Sequence, residues 1–185
     1  ARAYLQGRGI TQKQADKYAL HFCRTGFYHD RLIIPVFDHN KLYRTFVSRA
    51  IGGRADGPKY LYPKGSNISR LLYNLLFFFG RQQSIILVEG IFDAVHCYEL
   101  GAVAMFGKVL SNAQLNLLRM AGFQQVTMLL DNECWVNTPE IWDRNVRKLS
   151  QYFIVYEVKL PHDTPTEFSI NELEEFCRKA SCIYE

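Results

Sequence analysis

Five acidic residues stand where a bound cation could use them: Glu89, Asp93, Asp131, Glu133 and Asp163. Glu89 ends an uninterrupted apolar run, Ile85 to Val88, and Gly90 follows before a helix-like pattern resumes at Ile91, Val95 and Tyr98. A β-branched run without polar alternation suits a strand buried on both faces, as in a parallel sheet. Glu89 then lies at the carboxyl edge of that strand, where ligand sites of open α/β sheets form and where an uncompensated buried charge is costly. Asp131 and Glu133 follow a later run of the same kind, and Asp163 another. Neighbouring strands lie about 4.8 Å apart, so carboxylates at their ends come within reach of one ion. Two carboxylates about 4 Å apart repel by roughly 4 kcal/mol at an effective dielectric near 20, more than a marginally stable domain tolerates uncompensated. A divalent cation would compensate, and oxygen ligands favour Mg²⁺ or Mn²⁺ over zinc. Taken singly, each acid reads more readily as a solvated loop residue than as a ligand, and Glu89 as readily one as the other.

The elements that must position these acids follow from periodicity. Strand-like runs at 84–89, 102–106, 125–130 and 153–158 alternate with helical patterns at 91–100, 111–121, 138–149 and 169–179. That order predicts an α/β unit with a parallel four-stranded sheet flanked by helices. Ser111 with Gln114 forms a capping box, and Thr138-Pro139 gives an N-cap with proline at N1. Upstream, Thr11 with Gln14 starts a helix that the pattern extends to Gly26. Leu32 to Phe37 and Leu42 to Ile51 read as a hairpin turning at Asp38 to Lys41. Gly52 to Pro58 reads as a mobile glycine-rich loop carrying Arg54. Ile68 to Phe79, with Arg70, reads as an apolar helix bridging the halves, its Phe77-Phe78-Phe79 run a core or interface feature. The predicted organisation is a basic α+β subdomain over 1–83, a metal-binding α/β domain over 84–165 and a C-terminal helix over 166–185.

Charge divides the chain the same way. Residues 1–88 carry 14 Lys+Arg against 4 Asp+Glu, and residues 89–185 carry 8 against 14. A basic half joined to an acidic half points to one part that holds phosphates and another that holds cations. Arg31, Arg49, Lys59 and Tyr60 lie at the hairpin ends and just beyond them, interleaving cations with rings as a single-stranded nucleic-acid groove requires. Five scattered cysteines without CxxC spacing read as reduced thiols and give no zinc site. No apolar run is long enough to span a membrane. With Ala1 in place of Met, the sequence is expected to be a piece of something longer.

In order along the chain, EGxxD (Glu89 to Asp93), GKVLSNAQ (Gly107 to Gln114) and LLDNE (Leu129 to Glu133) resemble the Toprim domain. The preceding residues AYLQGRGI (Ala3 to Ile10), RLIIPVFD (Arg31 to Asp38), FVSRAIGG (Phe46 to Gly53), KYLYP (Lys59 to Pro63) and SRLLYNL (Ser69 to Leu75) resemble the catalytic core of DnaG-type primases. Each motif is short, but their order and spacing cover nearly the whole chain. The resemblance implies template-directed synthesis of short RNA primers on single-stranded DNA from ribonucleoside triphosphates, with Mg²⁺ or Mn²⁺. It implies Glu89 as general base or metal ligand, Asp93 as the second acid of its motif, and Asp131 with Glu133 as the metal-binding pair. Asp163 is the nearest acid to the family's last metal motif. Arg31, Arg49, Lys59 and Tyr60 match positions that face template or nucleotide, and Arg70 could join them at a phosphate. A replicative helicase, fused or separate, is the implied partner, the zinc-binding module is missing from this segment, and the implied location is the cytoplasm of a bacterial or phage-infected cell.

The sequence departs from that pattern in three places. Glu133 is one methylene longer than the family's aspartate. Cys134 and Trp135 stand where small residues usually open a helix, and the next helix is expected only from Thr138. Thr164-Pro165-Thr166 replaces an Asp-Pro-Asp. These departures keep open a non-catalytic Toprim module that binds single-stranded nucleic acid. A Toprim nuclease suits the acidic edge but not the basic amino-terminal half.

Overall fold

In the computed structural model, which describes residues 1–53 and 57–184, the chain forms two units, Ala1–Asn67 and Ile68–Glu185. Arg54 and the centre of the expected glycine-rich loop lie outside the described residues.

The first unit opens with α1 (Arg2–Gln6) and α2 (Gln12–Lys17), and α2 carries the Thr11–Gln14 capping box. The helix expected to reach Gly26 ends instead at Lys17. Ala19 takes the left-handed conformation at φ 49°, and His21–Cys23 forms a strand, β1. β1 pairs with β2 (Arg31–Phe37), and the hydrogen bonds gained on that ladder replace those of a longer helix. β2, β3 (Tyr43–Ala50) and β4 (Tyr60–Leu61) complete an antiparallel sheet in sequence order. Leu32, Ile34, Val36 and Val47 are buried on it. Asp38 closes the expected hairpin turn: Oδ1 accepts from the amides of Asn40 at 2.8 Å and Leu42 at 3.0 Å, and Oδ2 from Arg44 Nε at 2.6 Å. Burial pushes the Asp38 carboxyl up, but these donors outweigh it and hold the group below its ordinary pKa.

The start of the second unit differs from the helix expected there. Ile68–Phe79 is not one helix but a 3₁₀ turn (Ile68–Arg70), a bridge from Tyr73 to Ala104, and a short α3 (Leu75–Phe78). Asn74 breaks the pattern at φ 70°, and its buried amide donates to Ala94 O at 2.8 Å, tying the segment to the unit it precedes. The phenylalanine run is core: Phe78 is buried, and Phe77 packs edge-on against Tyr98 at 5.5 Å.

Beyond it come β5 (Ser84–Val88), α4 (Ile91–His96), β6 (Ala102–Ala104), α5 (Asn112–Met120) and β7 (Gln125–Met128). Then follow α6 (Asn132–Val136), α7 (Pro139–Leu149), β8 (Ile154–Glu157), α8 (Ile170–Arg178) and β9 (Ser181–Tyr184). The strands lie in the order β6-β5-β7-β8-β9. The first four are parallel, as the βα alternation requires. The sheet is nevertheless five-stranded and mixed, because β9 returns antiparallel to β8. Its four residues follow α8 closely and are too few for a periodic signal. The pairing gives the edge of β8 hydrogen-bond partners.

β5 is buried on both faces, from Ile85 at 2% exposed to Val88 at 0%. Burying such side chains contributes about 1.5–3 kcal/mol each, which fixes the strand and with it the position of Glu89. α6 begins at once after Asp131, earlier than expected. Its Cys134 is buried in the core, which accounts for a small apolar residue there. Among the described residues, no helix is long and apolar enough to cross a membrane.

Candidate active site

Two of the five acids meet at the carboxyl edge of β5 and β7. Glu89 follows Val88 directly, and its Oε1 accepts the amide of Asp131 at 3.2 Å. Glu89 is 7% exposed. Burial first, and then the neighbouring Asp131 charge, push its carboxyl up to about 8.

Asp93 serves local structure. On the first turn of α4 its Oδ2 accepts the Gly90 amide at 3.1 Å, completing a helix cap. A Cβ on residue 90 would stand 2.6 Å from that oxygen, so glycine leaves room for the cap. The EGxxD spacing thus has a local cause: the acid ends the strand, the glycine admits the cap, and the aspartate supplies it.

Glu133 lies on α6, its side chain 64% exposed, and accepts from Lys108 Nζ at 2.9 Å. Asp163 adopts φ 50° and points its carboxylate at the imidazole of its neighbour His162, 3.3 Å away. Its carbonyl, rather than its carboxylate, reaches α6 by accepting the Asn132 amide at 2.9 Å. The Thr164 and Thr166 hydroxyls bond each other at 2.9 Å. Among the described residues, no three acidic, histidine or cysteine side chains converge at a metal-ligating distance.

Lys108 was not singled out by sequence reasoning, although it lies inside GKVLSNAQ. A cation just past the end of β6, beside two acid-bearing strand ends, was the available signal. Its loop is tightly held. Gly107 N donates to Glu89 O at 3.1 Å, and the buried Asn145 of α7 donates to Lys108 O at 2.7 Å and accepts from Leu110 N at 3.0 Å.

In the first unit, Arg49 donates to the Tyr60 hydroxyl, and its guanidinium lies 4.7 Å from the Tyr60 ring and 5.8 Å from that of Tyr4. Arg8 Nε donates to Tyr4 Oη at 2.7 Å, so α1 adds a second ring, and the turn after it a second cation, to this cluster. Sequence reasoning passed over this pair, whose four-residue spacing spans the end of α1 and the turn that follows it. Lys59 is exposed beside the cluster in sequence. Arg31 is 1% exposed and donates to Pro58 O at 2.9 Å. It pairs with Ala50, whereas Arg49 pairs with Leu32, so strand alternation puts the two arginines on opposite faces of the sheet. Arg70 is exposed on the 3₁₀ turn of the second unit.

No protein-family model matches the chain. A DNA primase of Myxococcus xanthus is 31% identical over 119 residues, which cover 58% of this chain and 19% of that protein. The Aquifex aeolicus primase structure containing zinc-binding and RNA polymerase domains superposes with a TM-score of 0.85 at 23% identity, over 98% of this chain and 56% of that one. A DnaG primase catalytic domain bound to single-stranded DNA superposes with a TM-score of 0.82 at 18% identity, over 98% and 71% respectively. The chain thus spans about a fifth of the curated relative and little more than half of the Aquifex chain. The chain carries the fold of the catalytic core of DnaG-type primases.

Proposed function

We propose that this chain is the catalytic core of a DNA primase, joining ribonucleotides on a single-stranded DNA template. The observation that carries the reading is the buried Glu89 held against Asp131 at the edge of two parallel strands. An acid kept there against the cost of burial is a functional candidate, not a solvated loop residue. The acids offer the oxygen ligands that a hard divalent cation takes, and burial first, then the Asp131 charge, push the Glu89 carboxyl up to about 8. Glu89, Asp131 and Glu133 are the candidate ligands of such a cation, but among the described residues no three acids converge on one point as they stand, Glu133 being turned to Lys108. When bound, Mg²⁺ or Mn²⁺ supplies neutralising charge for a triphosphate.

The chain's own groups divide the remaining work. Glu89 is the carboxylate able to take the proton of an attacking 3′-hydroxyl. Asp131 N fixes the Glu89 carboxylate through Oε1. Asp93 holds α4 at the end of the same strand, and Asp163, turned to His162, stands as a more distant candidate ligand. Arg49, Lys59 and Tyr60, with Tyr4 and Arg8, grip the single strand by phosphate charge and ring stacking. Arg31 fixes the start of the segment that carries Lys59 and Tyr60, through Pro58. Arg70 offers a further phosphate contact. Ribonucleoside triphosphates are the substrates, single-stranded DNA the template, and a replicative helicase the partner that would bring it.

A second reading, a non-catalytic module that binds single strands, is favoured by one observation. Thr164 and Thr166 pair with each other where the related motif carries acids. Primer synthesis with labelled ribonucleotides, by the wild type and by Glu89→Ala, separates the two readings. Synthesis lost in the variant with template binding kept supports the polymerase. Template binding without synthesis by the wild type supports the module.

A further inference from the structure

We propose that the outer face of the antiparallel sheet is a second track for single-stranded DNA, on the side away from Arg49 and Tyr60. The inference rests on the template-binding reading given above and adds a surface to it. Register separates the two faces. Leu32 with Arg49, Ile34 with Val47 and Val36 with Thr45 form the buried face. Ile33, Pro35 and Phe37 of β2 point the other way, with Phe46 opposite Pro35 and Tyr43 opposite Phe37. Arg31, at the end of this outer face, is buried against Pro58 O; from Ile33 onward the outward side chains of β2 are part-exposed. An antiparallel sheet with one face on a core normally carries polar residues on the other. Here β2 puts three apolar side chains in a row there.

Rings make the face continuous. Tyr28, between β1 and β2, stands edge-on to Phe46 at 4.9 Å, and Phe27 edge-on to Tyr28 at 5.0 Å, while Phe37 and Tyr43 meet at 6.0 Å. Phe27 is 79% exposed and Tyr43 57%. The loop that presents Phe27 is braced: His29 N donates to Gly26 O at 3.1 Å and Asp30 N to Cys23 O at 2.9 Å. One exposed ring is ordinary, but a band of them running from Phe27 past Pro35 to Tyr43 is a binding surface.

Charge selects the occupant. Residues 1–67 carry 12 Lys+Arg against 4 Asp+Glu. Exposed Arg24 opens the Phe27 loop, exposed Lys41 lies in the turn before Tyr43, and exposed Lys59 closes the end of the sheet, its carbonyl accepting the Ala50 amide at 2.9 Å. The acids of the two connecting loops are withdrawn: Asp30 is half-buried, and Asp38 is buried and paired with Arg44 at 2.6 Å. Rings for bases and cations for the backbone suit a single strand of any sequence. The strand with length enough to reach both faces is the template, not a short primer.

The test is ultraviolet cross-linking of the longest natural protein carrying this chain to an oligodeoxynucleotide substituted with iododeoxyuridine, followed by peptide mapping. The strand is about 30 nucleotides, room for two sites of about 4–16 each. Cross-links should fall on Phe27 or Tyr43 as well as on the face of Tyr4 and Tyr60. In anisotropy, Phe27→Ala and Tyr43→Ala should each weaken binding by about five- to tenfold, the lower end of what one stacked base contributes. Both rings are exposed, so melting temperatures should not move; Arg24→Glu replaces either variant if melting shows it unfolded. Cross-links confined to the Tyr4 and Tyr60 face, with affinity unchanged in the ring variants, overturn the second track and leave the grip standing. Protection of Phe27 and Tyr43 from hydroxyl-radical footprinting before DNA is added shows another part of the protein seated there, and overturns it too. Absence of oligonucleotide binding by every protein overturns both.

Discussion

The amide of Asp131 donates to Glu89 Oε1 at 3.2 Å, linking the ends of two neighbouring parallel strands through one carboxylate. The bond partly offsets the burial of Glu89, yet its carboxyl remains pushed up to about 8, so the site favours added positive charge. Mg²⁺ or Mn²⁺ at a hundred times its dissociation constant should raise stability by about 2.7 kcal/mol. Glu89→Ala or Asp131→Asn should remove most of that gain in thermal melts with and without the ion.

The cluster of Arg49, Tyr60, Tyr4 and Arg8 predicts a different kind of loss. Arg49→Ala should weaken binding of single-stranded oligonucleotides and reduce the slope of log K against log salt by about 0.7 for one phosphate contact. Tyr60→Ala should cost about 1–3 kcal/mol of binding through lost stacking. Fluorescence anisotropy across a salt series measures both. Neither change should abolish cation binding.

Asp38 gives a prediction in pH. Its folded-state pKa lies below the ordinary carboxylate value, so its contribution is present above about pH 4, the unfolded value, and is lost as pH falls through the folded one. Asp38→Asn should lower stability at pH 7 by about 1 kcal/mol, since two amide bonds can survive and Arg44, half-exposed, adds little. It should also flatten the acid limb of a melting-temperature series. An unchanged acid limb would show that the turn is not held by this charge.

Gly90→Ala should release the α4 cap, because the new Cβ would stand 2.6 Å from Asp93 Oδ2 and displace it. Loss of one cap costs about 1 kcal/mol, measured as a shift in the denaturation midpoint. Because Gly90 adjoins Glu89, cation affinity should fall with it.

Much of this was legible in the sequence because the signals were long or chemically redundant. The apolar run ending in Glu89, the βα alternation and the boxes at Thr11 and Ser111 each fixed one local outcome, and tertiary packing agreed with them. Where packing decided, the sequence misled. Ala19 and Asn74 turn the chain left-handed inside patterns that read as continuous helices, because their neighbours find strand partners instead. β9 was missed because a four-residue edge strand carries no period of its own. At the site, strand-end position located Glu89 and Asp131 but could not show that Glu133 turns to Lys108 or Asp163 to His162. Those choices depend on rotamers and loop geometry rather than residue type.

The most direct test of the central claim is RNA primer synthesis on mixed single-stranded DNA templates by the longest natural protein carrying this chain, beside its Glu89→Gln variant. Both should bind template alike. The wild type should make short, metal-dependent RNA, and the variant should make at least about a hundredfold less, the loss expected when a positioned acid–base group is removed. Equal synthesis by both, or tight template binding with no product from the wild type under either Mg²⁺ or Mn²⁺, would contradict a polymerase centred on Glu89.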